Sequence, residues 1–333
     1  MSTGGAEDGA DAAVWVRPDG RSVRYYRLGE LLPPKPAVAV VTGADTYVGR
    51  ALAQALISAG QPVAALAAVP ADLSAPSVLG RAGFHPAWEA MLAAHDASVI
   101  FHCTRRPFPP GGTRPARREA ALAWETHVAD TLEMLRRWER DDDAPPVVLL
   151  SSAAVYGAYD PHPVSERTAL HPDSAWAESL AAAEALVAKV APRHAILRVF
   201  EVVGPDDRGR VADSRAHPWT RLAAGFVEPL PAMWDCVALD EVVAALMRAG
   251  RHLAGGGPSL VLNVGSGIAA SPGKLADAFG LPAPPPQPAR GLVADMACMQ
   301  ATWGWAPAAP NLGALARASR RAVQGRPAEA PHD

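Results

Sequence analysis

Short apolar runs alternate with longer amphipathic segments along most of the chain. The apolar runs are Ala37–Val41 (AVAVV), Val63–Val69, Ser98–His102, Val147–Leu150, Ala195–Val203 and Leu260–Val264. The first of these runs is uniformly apolar, which is typical of a strand that is buried on both faces of a sheet. The segments between the runs predict helices over Val48–Gly60, Arg118–Arg140, Trp176–Val190 and Asp240–Arg251. This alternation of strand and helix predicts a doubly wound, parallel α/β sheet with helices on both faces.

The two ends of the chain differ from this alternating region. The first 13 residues are small and acidic and are expected to be disordered. Val14–Tyr26 has β-prone flanks around the turn Pro18-Asp19-Gly20, which predicts a short hairpin. Beyond residue 204 the pattern thins into Pro- and Gly-rich segments. We therefore expect an N-terminal extension over 1–36, an α/β domain over 37–204 with 236–264 returning to it, and a smaller lobe from 205–235 and 265–333.

Composition narrows the classes of partner. The apolar share of 49% and the charged share of 20% are those of a soluble globular protein. A net charge of −3 supplies no broad cationic surface, so nucleic acid is not an expected partner. No apolar run approaches the roughly 18 residues that a membrane span needs, and the first residues carry no secretory signal pattern. We expect a cytoplasmic protein with no membrane partner.

The cysteine and carboxylate patterns exclude further classes of site. Cys103, Cys236 and Cys298 are far apart and form no CxxC pair, so neither a disulfide framework nor a structural zinc site is expected. The acidic run 141–143 ends a predicted helix and lacks the ligand spacing of a metal loop. No metal cofactor is expected.

A glycine-containing turn follows the first apolar run. Val41–Gly49 reads VTGADTYVG and lies between a predicted buried strand and a predicted helix. A tight turn at this place brings backbone N–H groups and the positive end of the helix against a pyrophosphate. The turn resembles the TGxxGxxG loop of the short-chain dehydrogenase/reductase superfamily, with Thr46 at the middle glycine position. The resemblance implies cofactor binding by Gly43, Asp45, Thr46, Tyr47, Val48 and Gly49, and the Thr46 side chain is expected to crowd the diphosphate.

A longer motif identifies a branch of that superfamily. Val147–Glu184 begins VVLLSSAAVYG and resembles the extended, epimerase/dehydratase-type branch, whose consensus is SSxxVYG followed by PYGxSKxxxE. Further matches are Ile196–Pro205 (ILRVFEVVGP), Asn263–Gly267 (NVGSG) and Trp303–Pro307 (WGWAP). The resemblance implies a Rossmann-type fold in which the α/β domain binds a nicotinamide dinucleotide and the smaller C-terminal lobe binds substrate.

The residues that carry the chemistry of this family are replaced. In the family a Tyr with a Lys four residues later transfers the proton, a Ser orients the carbonyl and an Asn positions the Lys. By motif, Ser152 is at the Ser position, whereas Trp176, Leu180 and His127 replace the Tyr, the Lys and the Asn. An indole does not release its proton near neutral pH, and leucine neither donates a hydrogen bond nor tunes a neighbour. We therefore expect the usual proton relay to be absent.

The cofactor preference is read from the second predicted strand. It ends in Ala67–Pro70 without the carboxylate that takes the adenosine ribose hydroxyls of NAD. An uncharged end does not repel a 2′-phosphate, which favours NADPH over NADH, with Arg81 and Arg105 as candidate phosphate ligands. The resemblance adds residues at the cofactor edge, namely Cys103, Thr104, Arg105 and Ser151.

The main hypothesis is a ketoreductase. Hydride delivery requires mainly that the cofactor and a carbonyl are held in near-attack geometry. A substrate phenol or enol already bonded to the ketone can replace a protein acid, and peri-hydroxylated aromatic polyketides have this arrangement. The missing relay resembles that of the atypical angucyclinone ketoreductases of antibiotic biosynthesis. The residues expected to line a flat, polycyclic substrate are Ser152, Tyr156, Trp176, Trp219 and Phe226.

Two other functions remain open. The chain can be a catalytically silent dinucleotide-binding sensor or scaffold, or a nucleotide-sugar epimerase or dehydratase with a relocated base. Individual residues have alternatives as well. His127 is either a surrogate acid or a structural group, Tyr156 is either a pocket residue or a structural one, and Trp219 is either a substrate wall or core of the lobe. Extended-type relatives dimerise through two helices, here 118–140 and 176–190, which implies a homodimer.

Overall fold

The computed structural model describes residues 13–16, 22–25, 37–66, 78–79, 96–103, 121–137, 144–157, 163–206, 218–225, 233–282 and 291–324. The chain divides into two compact units, 1–36 and 37–333. In the first unit, β1 (Ala13–Val16) and β2 (Ser22–Tyr25) pair antiparallel, with Ala13 opposite Tyr25.

The second unit contains two sheets. Its strands are β3 (Ala37–Thr42), β4 (Val63–Leu66), β5 (Val78–Leu79), β6 (Asp96–His102), β7 (Val147–Ser152), β8 (Pro163–Val164), β9 (His194–Val199), β10 (Glu201–Val203), β11 (Met233–Ala238), β12 (Leu260–Val264), β13 (Ala269–Ala270) and β14 (Gly291–Ala294). The larger sheet is parallel, in the order β12-β9-β7-β6-β3-β4-β5. The chain leaves β3 in one direction and continues from β6 in the other. The carboxyl ends of β3 and β6 therefore flank the crevice in which doubly wound sheets bind ligands.

Helices cover both faces of the larger sheet. The helices of the described residues are α1 (Tyr47–Ser58), α2 (Asp130–Arg136) with a π-helical segment (Glu125–Ala129) before it, α3 (Ala175–Val190), α4 (Pro218–Ala223), α5 (Leu239–Ala254), α6 (Pro272–Ala278), α7 (Ala297–Trp303) and α8 (Leu312–Gln324). Of these, α4, α6 and α8 pack in the lobe. Neighbouring strand residues face opposite sides, as strand geometry requires. Val41 packs in the cluster that holds α1 and α5, and Val40 packs in the cluster that holds α2 and α3. The predicted doubly wound α/β fold is confirmed.

One predicted strand is wrong. The run Ala195–Val203 is not a single strand, because β9 and β10 belong to different sheets. The break is at Phe200, whose N–H donates to Val264 O. The smaller sheet has the order β10-β11-β14-β8, and β13 pairs with β11. The carboxylate of Asp235 in β11 accepts hydrogen bonds from Ser266 and Gly267 after β12 and from Ala294 in β14. This sheet therefore joins the segment after β12 to the lobe.

Candidate active site

The turn between β3 and α1 closes tightly on itself. Gly43 has a φ of 65°, and its carbonyl oxygen accepts from the Thr46 N–H at 2.9 Å and from Thr46 Oγ1 at 2.7 Å. Gly49 lies directly above this closure. A Cβ atom on Gly49 would lie 2.3 Å from Gly43 O and 2.9 Å from Thr46 Oγ1. Only glycine fits at position 49 without opening the turn.

Thr46 is the N-cap of α1, with extended backbone. Its Oγ1 accepts the Gly49 N–H at 3.1 Å while it donates to Gly43 O, and the residue is only 8% exposed. The hydroxyl is thus bonded inside the turn, where it satisfies a first-turn donor of the helix. Crowding of a diphosphate, expected from the sequence, would therefore come from the methyl group and not from the hydroxyl.

The start of α1 fits a diphosphate. The Tyr47 side chain is buried and its hydroxyl donates to Gly204 O, so the ring packs into the protein and leaves the helix end open to a ligand. Among the described residues, the Val48 N–H has no acceptor. Asp45 is half-buried in the same turn. An uncapped N–H at the positive end of a helix is the donor that phosphate oxygens bind, so the predicted residues of the turn fit the dinucleotide.

The end of β6 contacts this turn through its backbone. The Cys103 N–H donates to Thr42 Oγ1 at 3.2 Å, and Cys103 O lies 3.5 Å from Thr46 Oγ1. The Cys103 thiol is fully buried in the core. The other residues predicted at this edge, together with one substrate residue, lie outside the described residues: Thr104, Arg105, Arg81, Ala67–Pro70 and Phe226.

The hydroxyl groups of the two serines at the end of β7, Ser151 and Ser152, have different hydrogen-bond partners. Ser151 is buried, and its Oγ donates to Glu184 Oε1 at 2.5 Å. The Ser151 side chain is thus bonded inside the protein and does not support the predicted cofactor contact of Ser151, since consecutive side chains of a strand point to opposite faces. Ser152 Oγ accepts the Ala154 N–H at 3.3 Å. Among the described residues its O–H has no acceptor, so this proton is available to a substrate oxygen.

The positions of the missing relay are apolar. Trp176 lies in the first turn of α3, half-buried against an apolar cluster that contains Tyr156 and Phe200. Leu180, one turn later, belongs to the same cluster and is 2% exposed. An ammonium group at this place would lie among apolar side chains, which disfavours its charge. Leu180, at the position of the family lysine, thus contributes apolar packing and carries no charge.

Tyr156 is a structural residue. It is fully buried, and its hydroxyl donates to Asn263 Oδ1 at 2.7 Å and accepts from Arg198 Nη1 at 3.1 Å. Burial raises the pKa of Tyr156. The prediction that Tyr156 lines the substrate is wrong, because its ring and hydroxyl are both enclosed by protein. Sequence reasoning missed the partners Glu184, Arg198 and Asn263, although each is a polar residue inside a quoted motif.

Trp219 lies in the core of the lobe. It is fully buried, its Nε1 donates to Ser319 Oγ at 3.0 Å, and its ring packs edge-on to Phe279 at 4.8 Å. The prediction of Trp219 as a substrate wall is wrong for this reason. In the part of the chain that the structure describes, no cluster of three or more His, Cys, Asp or Glu could hold a metal ion. None of the described helices combines the length and apolarity of a membrane span.

His102 connects β3 and α2 below the crevice. Its Nδ1 lies 2.9 Å from Thr42 Oγ1 and its Nε2 lies 3.0 Å from Thr131 Oγ1. The Thr131 hydroxyl donates its only hydrogen to His127 O, so His102 Nε2 must be the donor in the second bond. The residue is fully buried, and burial lowers its pKa to about 4. His102 is therefore neutral at physiological pH, with its hydrogen on Nε2.

The burial of His102 predicts that the free energy of unfolding decreases in acid. In the unfolded chain His102 takes up its proton near pH 6.5, and in the folded chain only near pH 4. The unfolded state therefore binds more protons over this window, and the free energy of unfolding falls as the pH is lowered from 6.5 to 4, by about 3 kcal/mol in total. Urea denaturation of the wild type and of His102→Gln at several pH values measures this effect. The difference between the two should shrink by that amount toward pH 4, and a constant difference would contradict the assignment.

Comparisons with known proteins agree with this architecture. The model of the NAD-dependent epimerase/dehydratase family matches residues 39–265. A UDP-glucose 4-epimerase of Azospirillum brasilense is 25% identical over 327 residues, covering 84% of this chain and 90% of the relative. The structure of MoeE5 in complex with UDP-glucose and NAD is similar with a TM-score of 0.71 at 23% identity, over 86% of this chain and 99% of that one.

A second solved structure is that of RMD from Pseudomonas aeruginosa complexed with NADPH. It has a TM-score of 0.63 at 22% identity, over 88% of this chain and all (100%) of that one. At these identities the solved structures establish the fold, whereas the family match extends over most of the α/β region and through β12. The chain belongs to the NAD-dependent epimerase/dehydratase family.

Proposed function

We propose that this protein is an NADPH- or NADH-dependent ketoreductase that reduces a ketone of a polycyclic aromatic, angucyclinone-like polyketide in antibiotic biosynthesis. The observation that carries the proposal is the apolar relay site, in which Trp176 and a buried Leu180 replace the acid and its tuning cation. A nucleotide sugar has no acidic proton of its own beside the reacting carbon, whereas a peri-hydroxylated ketone does. The missing relay resembles that of the atypical angucyclinone ketoreductases, the simocyclinone enzyme in particular, and this resemblance supports the proposal.

The residues of the chain have separate tasks in this reaction. The turn Gly43–Gly49 holds the diphosphate of the dinucleotide, whose nicotinamide supplies the hydride when bound. The Ser152 O–H donates to the ketone oxygen, because its proton has no acceptor among the described residues. The Trp176 indole offers a flat, half-buried surface to an aromatic ring. The proton that completes the alcohol comes from the substrate phenol, which regains one from solvent.

A nucleotide-sugar epimerase is the second candidate, favoured by the similarity to a UDP-glucose 4-epimerase. Epimerisation requires reversible removal of a hydroxyl proton by a protein base. The family positions for that base hold tryptophan and leucine here, which is why this function ranks below ketone reduction. A silent dinucleotide-binding module is the third candidate.

A single set of assays separates the three functions. Purified protein is mixed with NADPH or NADH and a panel of hydroxylated quinones, and the absorbance of the reduced nicotinamide is followed. We expect consumption of the reduced cofactor and formation of an alcohol. Interconversion of UDP-glucose and UDP-galactose with no quinone reduction would establish the epimerase instead, and dinucleotide binding without turnover in either assay would establish the silent module.

Ser152→Ala should lower kcat only about tenfold, which corresponds to the loss of one hydrogen bond of about 1.4 kcal/mol in the transition state. The effect is small because the substrate phenol shares the stabilisation of the developing alkoxide. Methylation of that phenol should lower the rate far more in the wild type. The matched control is Ser259→Ala, which removes an exposed hydroxyl at the opposite end of β9 that accepts the His194 N–H at 3.0 Å. Full activity on the methyl ether would contradict substrate assistance.

A further inference from the structure

A buried side-chain pair lies beside the position of the missing relay. His127, in the π-helical segment before α2, is 3% exposed, and Ser179 in α3 is fully buried. Their Nδ1 and Oγ atoms are 2.7 Å apart. The imidazole ring lies edge-on to the Trp176 indole, with ring centroids 6.4 Å apart and planes inclined at 64°. The pair therefore joins α3 to the π-helical segment at the first turn that carries Trp176.

The direction of this bond follows from the single hydrogen of the serine. Ser179 Oγ donates to Trp176 O at 2.8 Å, so the hydroxyl has no hydrogen left for the imidazole. His127 Nδ1 must therefore carry the hydrogen and donate it to Ser179 Oγ. The serine oxygen thus relays a hydrogen bond from His127 to the backbone carbonyl of Trp176.

The backbone of His127 is also held. Its carbonyl oxygen accepts the Thr131 hydroxyl, and Thr131 in turn accepts from His102 Nε2 at 3.0 Å. His102 is fixed by Thr42 at the end of β3. The imidazole thus extends from a rigid anchor toward α3. A π-helical segment is a local irregularity that often occurs at functional sites, and here it carries the residue that makes the contact.

We propose that His127 is a positioning residue for Trp176: through Ser179 it fixes the first turn of α3 and thereby the indole surface against which the flat ketone lies. The inference builds on the proposed function, because it assigns the task of the indole. First turns of helices fray readily, and Leu180 supplies no polar anchor to this turn. The His127–Ser179 bond supplies one, and its donor occupies the position of the family asparagine.

The placement of the indole can be measured without substrate. The protein is labelled with 5-fluorotryptophan, and the fluorine resonance of Trp176 is assigned from its loss in Trp176→Phe. Ser179→Ala and His127→Leu should shift and broaden this resonance, since both remove the bond. His127→Asn should restore the wild-type line, because its amide nitrogen is a donor at nearly the same distance along the side chain. Ser319→Ala, which removes an equally buried serine bonded to Trp219, should leave the Trp176 line unchanged.

Binding of a flat ketone provides the second readout, with 1,8-dihydroxyanthraquinone as the probe. Its Kd should rise about tenfold in Ser179→Ala and His127→Leu and return to near the wild-type value in His127→Asn, while the Kd for NADPH stays constant. An unchanged Trp176 resonance in Ser179→Ala would overturn the proposal, as would a shifted resonance with unchanged probe affinity. If the wild type does not bind the probe, the proposed substrate class fails, and the fluorine spectra alone decide the role of His127.

Discussion

Gly49→Ala is expected to weaken NADPH binding at least 100-fold, a loss of about 3 kcal/mol. The added Cβ would lie 2.3 Å from Gly43 O and 2.9 Å from Thr46 Oγ1, closer than real Cβ atoms approach other atoms. Both contacts belong to the closure of the turn, so the turn must open and the Thr46 cap of α1 must break. The N–H groups at the start of α1 then lose the arrangement that binds a diphosphate. Titration of the protein with NADPH, followed by calorimetry, measures the loss.

Gly273→Ala is the matched control for this substitution. Gly273 is also in the first turn of a helix, α6, but the nearest atom to its added Cβ is Ser271 Oγ at 4.0 Å. This variant should bind NADPH with wild-type affinity. Urea denaturation of both variants separates a local effect on the turn from global unfolding. NADPH binding by Gly49→Ala within threefold of the wild type would show that the turn is not the diphosphate site.

The fold could be predicted because burial on both faces leaves a direct trace in the sequence. The runs that form the centres of β3, β6 and β7 are mainly apolar, and the turn after β3 carries the glycines that its geometry needs. A change of sheet leaves no such trace. Residues 195–203 form one mainly apolar run without a turn residue, yet the chain passes at Phe200 from the larger sheet to the smaller one. Only pairing with distant strands decides where such a run is divided.

The sequence also predicts part of the candidate site, because motif spacing assigns positions but not the contacts between distant residues. Motif spacing identified Ser152, Trp176 and Leu180, but it could not separate Ser151 from Ser152, because the facing of a strand residue depends on its register. Contacts between residues that are distant in the sequence also could not be predicted from the motifs. His127 and Ser179 are 52 residues apart, and no local pattern connects them. Tyr156 is predicted at the substrate pocket from the VYG motif and Trp219 as an aromatic residue of the lobe, whereas each has a buried polar partner that the sequence does not reveal.

Glu184→Gln is expected to cost about 3–5 kcal/mol of unfolding free energy, since removal of one partner leaves a buried charge without compensation. The Glu184 and Arg198 side chains are 5% and 9% exposed, and Arg198 Nη2 lies 2.7 Å from Glu184 Oε2. The Arg198 Nε also contacts both carboxylate oxygens, at 3.2 and 3.1 Å, and Ser151 donates to the same carboxylate. The pair joins β9 and α3 to the end of β7 at Ser151, the residue before Ser152. Urea denaturation at neutral pH measures the loss.

Glu133→Gln is the matched control, because Glu133 pairs with Arg137 at the same distance of 2.7 Å but with side chains 23% and 15% exposed. Solvent screening limits such a pair within one helix to less than about 1 kcal/mol. The double variant Glu184→Leu/Arg198→Met should be less destabilised than the sum of its single variants, since it leaves no buried charge behind. Equal costs for Glu184→Gln and Glu133→Gln would mean that water reaches the Glu184–Arg198 pair. In that case water would also reach the part of α3 that carries Leu180. The inference of an apolar relay site at Leu180 would then be wrong.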